Sequence, residues 1–131
     1  MRQTEPCSER GSCDSISDML DLINAYYHCW AKRDREGARA LLADDLRFRS
    51  PWDKFDSADA YLDECWSLRA DVESVMVFES VVEGEKAFVA AEWMVNDGTS
   101  FGDATLFEAK DGKFTRIVVA VAGNDVLKQF A

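Results

Sequence analysis

The sequence predicts an α+β protein in which helices cover one face of an antiparallel sheet. Four segments rich in Val, Phe, Trp, Thr and Ala follow one another at residues 73–83, 86–96, 100–110 and 113–122, and each is predicted to be a strand. Turn-forming residues separate these segments, and the clearest turn is Asp111-Gly112. Because a parallel return needs about a dozen residues or more, such short connections predict antiparallel neighbours.

Helical periodicity dominates the chain before residue 72. A first helix is predicted from about residue 15 to residue 33, because apolar side chains recur there at helical spacing: Ile16, Leu20, Ile23, Tyr27 and Trp30. A second helix is predicted over residues 34–43, with Asp34 as its N-cap, and a third over residues 58–70. Residues 46–50 alternate apolar and charged side chains, which predicts a short strand that Pro51 ends.

The domain organisation is predicted from composition. Residues 1–14 are polar and show no periodicity, so they are expected to form a disordered tail. Residues 15–131 are expected to form a single domain. The chain has no apolar run long enough to span a bilayer and no secretory signal, and we therefore expect a cytoplasmic protein that does not insert into membranes.

The charge and the metal-binding residue types exclude several classes of partner. The formal net charge is -10, which argues against nucleic acid and against anionic membrane surfaces, because both require a basic face. The chain contains one histidine and four cysteines, and no Cys-x-x-Cys pair occurs. We therefore expect no metal site. Because the sequence also lacks a glycine-rich phosphate loop, we expect no cofactor.

With these elements the chain resembles the nuclear transport factor 2-like superfamily, and within it the SnoaL-like and ketosteroid-isomerase-like proteins. The residues that carry the resemblance are Tyr26-Tyr27, Asp34-Arg35-Glu36-Gly37, Leu41-Leu42-Ala43-Asp44-Asp45, Ser50-Pro51 and the hairpin at 106–113. The resemblance implies a cone: a strongly curved antiparallel sheet wrapped around three N-terminal helices, as in the cystatin-like roll. It implies no single activity, because this fold hosts isomerases, dehydratases, cyclases, hydrolases and binding modules.

The resemblance also assigns positions around the mouth of the cone. Tyr26 falls where ketosteroid isomerases carry the phenol that donates to a developing oxyanion. Ser50 and Thr105 fall where those enzymes carry two aspartates. Since a hydroxyl cannot abstract a carbon-bound proton without a neighbouring base, ketosteroid isomerase activity is disfavoured.

Asp103 is the candidate acid or base. It shares one strand face with Phe101, Thr105 and Phe107, because side chains alternate along a strand. If that face is inward, burial would raise the pKa of Asp103 and suit it to proton transfer. If Asp103 lies at the rim of the sheet, it is simply solvated.

The remaining candidates would form the wall of a pocket. Trp52 and Trp93 are expected to contribute aromatic surface, although bulky aromatics are more often core than ligand contacts. On the last strand, Ala120 and Ala122 share a face with Val118. Small residues there would leave room for a ligand, or for a neighbouring subunit if the face is outward.

Three hypotheses about function remain open. The first is a cofactor-independent isomerase, dehydratase, cyclase or hydrolase that acts on a small apolar molecule bearing a carbonyl or hydroxyl group, with Asp103 and Tyr26 as catalytic residues. The second is a non-catalytic module that binds such a molecule. The third is a dimerisation module, and a homodimer paired through the sheet is expected in any case because both faces of strand 73–83 carry apolar side chains.

Overall fold

A computed structural model describes residues 11–68 and 71–123, with side chains at 18–67 and 71–120. These residues form three helices and six strands, in agreement with the predicted α+β class. In chain order the elements are α1 (Gly11–Lys32), α2 (Arg35–Ala40), β1 (Leu42–Arg49), β2 (Lys54–Phe55), α3 (Ala58–Leu68), β3 (Val72–Glu83), β4 (Lys86–Val95), β5 (Ser100–Lys110) and β6 (Lys113–Gly123). In this described part of the chain, no helix is long and apolar enough to cross a membrane.

All six strands belong to one sheet, in the order β2-β1-β6-β5-β4-β3. Strands β3 to β6 form a consecutive antiparallel meander, as predicted from the short turns. Two features of the sheet were not predicted. Strand β2 has only two residues, too few to show an alternating pattern, and β1 pairs in parallel with β6, far along the chain.

The hairpin turns have the backbone that their sequences suggest. Asp111 and Gly112 both have positive φ, at 55° and 78°, which is the geometry of a two-residue hairpin with matching twist. Gly84 and Gly98 also have positive φ at the other two turns. Since glycine adopts this backbone without steric cost, these positions fix where each strand ends.

Three predicted boundaries in the first half of the chain were wrong, and one of them is the start of β1, which begins at Leu42 rather than at residue 46. Helix α1 begins at Gly11, several residues before the predicted start near residue 15, so residues 11–14 are helical; residues 1–10 of the predicted tail lie outside the described residues. Helix α2 ends at Ala40 rather than near residue 43. The cause is tertiary, because Leu42 pairs with Phe114 of β6 and the Phe114 backbone N–H donates to the Leu41 carbonyl at 2.8 Å.

Side-chain caps fix the starts of the two shorter helices. Asp34 accepts a hydrogen bond from the Gly37 backbone N–H at 2.9 Å, and a Cβ at Gly37 would collide with the Asp34 carboxylate. Helix α3 is capped by Ser57, which accepts from the Ala60 N–H at 3.0 Å. The neighbouring Asp56 does not cap the helix and pairs with Arg49 at 2.9 Å.

The main core lies between α1 and the inner face of the sheet. The buried stripe of α1 includes Ile23, Tyr26, Tyr27 and Trp30, and α1 packs against β3. Helix α3 covers β1 with its buried Leu62. Several aromatic side chains of this core also form the wall of a cavity.

Candidate functional site

A cavity of about 440 Å³ lies between the helices and the inner face of the sheet. Helix α1 contributes Tyr26, Tyr27 and Trp30 to its lining, and α3 contributes Tyr61 and Cys65. The sheet and the loop after β1 supply the rest, and within the described residues the lining contains no lysine, arginine or histidine. A space of this size and apolar character is typical of sites that bind small molecules.

Asp103 points into this cavity and is only 6% exposed. Its Oδ2 accepts a hydrogen bond from the Trp93 indole N–H at 3.0 Å, whereas its Oδ1 has no partner in the protein. Burial raises the pKa of Asp103 to about 7, although the hydrogen bond from Trp93 opposes the rise by favouring the carboxylate. Asp103 therefore exchanges its proton near neutral pH.

A pair of phenols faces the cavity from the two helices. The hydroxyls of Tyr26 and Tyr61 lie 2.5 Å apart and form a buried hydrogen bond in which either oxygen can be the donor. Burial raises the pKa of both phenols well above the usual value, so both stay protonated at physiological pH. One of the two protons is used within the pair, and the other remains available to a ligand.

Three further polar groups of the lining lack a hydrogen-bond partner in the protein. They are the Tyr27 hydroxyl, the Trp30 Nε1 and the Thr105 hydroxyl. Trp30 lies close enough to Tyr26, and Thr105 close enough to Asp103, to lower the pKa of those neighbours, but neither contact has the geometry of a hydrogen bond. Since buried polar groups are nearly always satisfied in native proteins, these groups are available to water or to a bound molecule.

The loop after β1 lies at the edge of the cavity. The Ser50 hydroxyl accepts from the backbone N–H groups of Trp52 and Asp53, at 3.2 and 3.0 Å, so its oxygen holds the loop in shape. Trp52 lines the cavity yet is 72% exposed. Ser50 therefore lines the cavity, and its oxygen stabilises the loop.

The predicted aromatic wall is assembled from β4 and β5. Trp93 and Phe101 are stacked with ring centroids 5.9 Å apart, and Phe107 is almost fully buried. Together with Asp103 and Thr105 they occupy one face, as the period of two predicts.

The prediction for the last strand was wrong at Ala120. Ala120 is exposed and does not line the cavity, whereas Ile117 and Val119 do. The cause is the choice of face: Ile117 pairs with the inward Phe107 and Val119 with the inward Thr105, so alternation along β6 turns Val118 and Ala120 outward. The side chain of Ala122 lies outside the described residues.

Sequence reasoning missed several residues of the site. Tyr27 and Tyr61 were not predicted as site residues, because a buried tyrosine on an apolar helix stripe is ordinarily a packing residue. The adjacent pair Tyr26-Tyr27 was the sequence feature that could have identified Tyr27 as a site residue. Two adjacent aromatics widen the apolar stripe of a helix and suggest a second contact surface. His28 is exposed on α1, and no group of His, Cys, Asp and Glu within 11–68 and 71–123 is placed to bind a metal ion.

Comparison with known proteins identifies the family. A sequence model of the SnoaL-like domain matches residues 23–117, which include every element from the middle of α1 to β6. None of the curated proteins matches the sequence.

Solved structures show the same fold at low sequence identity. A candidate ketosteroid isomerase from Kribbella flavida superposes with a TM-score of 0.68 and is 21% identical, covering 82% of this chain and 78% of that chain. A candidate polyketide cyclase from Sinorhizobium meliloti gives 0.66 and 22%, covering 76% and 93%. An LEH-like epoxide hydrolase from M. tuberculosis gives 0.68 and 15%, covering 79% and 82%. At such identities the likeness shows the fold alone.

Proposed function

Because this chain belongs to the SnoaL-like domain family, we propose that its cavity binds a small apolar molecule with a carbonyl or hydroxyl group and transfers a proton to or from it. The observation that carries the proposal is the Asp103 carboxyl, whose Oδ1 is buried, unpartnered and directed into the cavity. A carboxyl with a pKa of about 7 is present as both acid and base at neutral pH, which is the condition for efficient proton transfer.

The other polar groups have distinct roles in this proposal. The surplus proton of the Tyr26–Tyr61 pair donates to the ligand oxygen and stabilises negative charge that develops there. The Trp93 indole N–H holds Oδ2 of Asp103, so Oδ1 is the oxygen that exchanges the proton. The reaction type is one of isomerisation, dehydration, cyclisation or hydrolysis. Ketosteroid isomerisation is disfavoured, since Ser50 and Thr105 replace the two aspartates that the resemblance would require.

The ligand class follows from the lining. The described lining combines aromatic walls with hydroxyl and indole donors and includes no cation. An anionic ligand would meet the Asp103 carboxyl without a compensating positive charge, so a neutral ligand is favoured. A neutral oxygen-bearing ring compound satisfies both the apolar walls and the donors.

Filling the cavity should weaken the binding of such a compound. We expect Val119→Phe to weaken the binding of 2-tetralone and 2-naphthol at least tenfold, because Val119 lines the cavity. The matched control is Val118→Phe, one residue earlier on β6, where the side chain does not belong to the lining. Binding is followed by NMR titration. Equal affinities for the two variants would contradict the assignment of the cavity.

Catalysis is tested separately on 2-tetralone in deuterium oxide. The protein should accelerate exchange of the hydrogens next to the ketone, and Asp103→Asn should remove at least 90% of the acceleration, because the amide cannot take up the proton. Exchange is read by proton NMR. If the wild-type protein binds the ketone without accelerating exchange, the catalytic claim fails and the non-catalytic binding module takes its place.

The outer face of the sheet favours a second role, self-association. The residues Val81, Phe88, Leu106 and Val118 form one row across four neighbouring strands. Val81 is 69% exposed and Phe88 43% exposed. A continuous apolar row of this kind is typical of an interface, and we propose that it pairs with the same row of a second copy.

A charge in the middle of that row should dissociate the pair. We expect the wild-type protein to sediment as a dimer and Phe88→Glu as a monomer with an unchanged circular dichroism spectrum. Asn96→Glu introduces the same charge at an exposed turn residue and should leave the dimer intact. A wild-type protein that sediments as a monomer at high micromolar concentration would exclude this role.

A further inference from the structure

We propose that Asp103, Thr105 and Tyr27 together form a binding site for one neutral hydroxyl oxygen, supplied by a water molecule or by a hydroxyl group of the ligand. The three side chains are 6%, 2% and 4% exposed. Each presents a polar atom with no hydrogen-bond partner in the protein: Oδ1 of Asp103, Oγ1 of Thr105 and the phenol oxygen of Tyr27. All three residues line the same cavity.

The three groups converge from two elements of the fold. Asp103 and Thr105 are two residues apart on the inward face of β5, so their side chains are neighbours. Tyr27 approaches this part of the cavity from α1. Its ring packs edge-on against the Trp93 ring, with centroids 5.5 Å apart, and the Trp93 indole N–H donates to Asp103. The charge of Asp103 also contributes to the raised pKa of Tyr27, after the larger effect of burial. The phenol and the carboxyl are therefore close without being bonded to each other.

The chemistry of the cluster selects the ligand. The carboxylate oxygen accepts a hydrogen bond, and the two hydroxyls can each donate or accept. A water or alcohol oxygen can donate to Oδ1 and accept from Thr105 and Tyr27, which gives it the three partners that a buried water typically has. A ligand without an oxygen at this place leaves the three groups unpaired, a carbonyl oxygen accepts from the hydroxyls but donates nothing to Oδ1, and an anionic group would be repelled by Asp103.

This site deepens the proposed function and rests on it for its chemical meaning. An oxygen held there lies against Oδ1 of Asp103, the atom that exchanges a proton in the proposed reaction. The cluster would therefore place either solvent or a hydroxyl of the substrate next to the acid or base. The Tyr26–Tyr61 pair remains a separate donor, since its hydroxyls are bonded to each other.

Crystal structures of the ligand-free protein test the site. We expect an ordered oxygen about 2.6–3.2 Å from Oδ1 of Asp103 and from at least one of the two hydroxyls. Thr105→Val should remove it or lower its occupancy by at least half, because valine has the same shape and no hydroxyl. Thr115→Val is the control for this exchange, since the Thr115 hydroxyl bonds to the Glu108 carbonyl on the neighbouring strand. A direct hydrogen bond between Asp103 and Thr105 or Tyr27, or an oxygen that persists unchanged in Thr105→Val, would overturn the proposal.

Two soaked probes distinguish the sources of the oxygen. With 2-naphthol, we expect the hydroxyl of the probe to replace the ordered water in the cluster. With naphthalene, the water should remain, because the probe has no oxygen to replace it. If both probes bind and neither the water nor the naphthol hydroxyl contacts Asp103, the site is refuted while the proposed ligand class stands. If neither probe binds but the ligand-free oxygen is present and depends on Thr105, the site stands and the proposed ligand class fails.

Discussion

Asp103→Asn should make the free energy of unfolding markedly less dependent on pH between about pH 4 and pH 7. In the wild type, burial raises the pKa of Asp103 from 3.8 to about 7. A tenfold change in the acid dissociation constant corresponds to roughly 1.4 kcal/mol, so the group accounts for a loss of about 4 kcal/mol of unfolding free energy across this range. The asparagine variant cannot ionise, and its stability should lack this component.

The sign follows from proton binding. Between pH 4 and pH 7 the folded protein keeps the Asp103 proton, whereas the unfolded chain has already released it. The folded state therefore binds more protons, and stability falls as pH rises, until it levels off above the folded pKa. Carboxylates with a lowered pKa, such as Asp56 beside Arg49, act in the opposite direction and at lower pH.

Urea denaturation at a series of pH values measures this effect. The quantity to compare is the difference in unfolding free energy between wild type and variant, because other titrating groups cancel in it. Asp53→Asn is the control, since Asp53 also lines the cavity but is exposed. A wild-type–variant difference that stays constant from pH 4 to pH 8 would show that Asp103 has an ordinary pKa, and the proton-transfer proposal would lose its basis.

Phe107→Ala should destabilise the fold by about 3–5 kcal/mol, because it removes a buried aromatic ring and leaves a cavity. Phe107 is 1% exposed and packs against Phe114 with ring centroids 4.9 Å apart and against Tyr26 at 5.9 Å. Phe88→Ala deletes the same atoms from β4, on the outer face, and should cost much less in dilute solution.

Thermal and urea unfolding of the two variants measure the comparison at low protein concentration, where the proposed dimer contributes least. Comparable losses for Phe107→Ala and Phe88→Ala would mean that the outer face is as well covered as the core. That result would contradict the division of the sheet into an inner and an outer face.

The second half of the fold was predictable from local chemistry. Strands β3 to β6 lie within one residue of their predicted bounds, because alternation and turn residues such as Asp111-Gly112 act over short distances. The same period of two correctly grouped Asp103 with Thr105 on one face, and that face proved to be inward.

The rest depended on contacts between distant parts of the chain. The hydrogen bond between Tyr26 and Tyr61 joins two helices, and no local pattern distinguishes such a pair from two core tyrosines. Ala120 was misplaced because the pairing of β6 with β5, which decides which face of β6 is inward, sets Ile117 and Val119 opposite Phe107 and Thr105. The end of α2 was misplaced because strand pairing with Phe114 outweighs the helical propensity of Leu41-Leu42-Ala43.

The position of β6 also has a consequence for how the protein is made. Strand β6 lies between β1 and β5, yet it follows both of them in the chain. On the ribosome, the edge of β1 that pairs with β6 therefore stays unpaired until about seventy further residues have been synthesised, which takes several seconds at roughly 5–20 residues per second. We expect the nascent chain to bind chaperones during that interval, because the apolar wall of the cavity is incomplete and exposed until β6 joins the sheet.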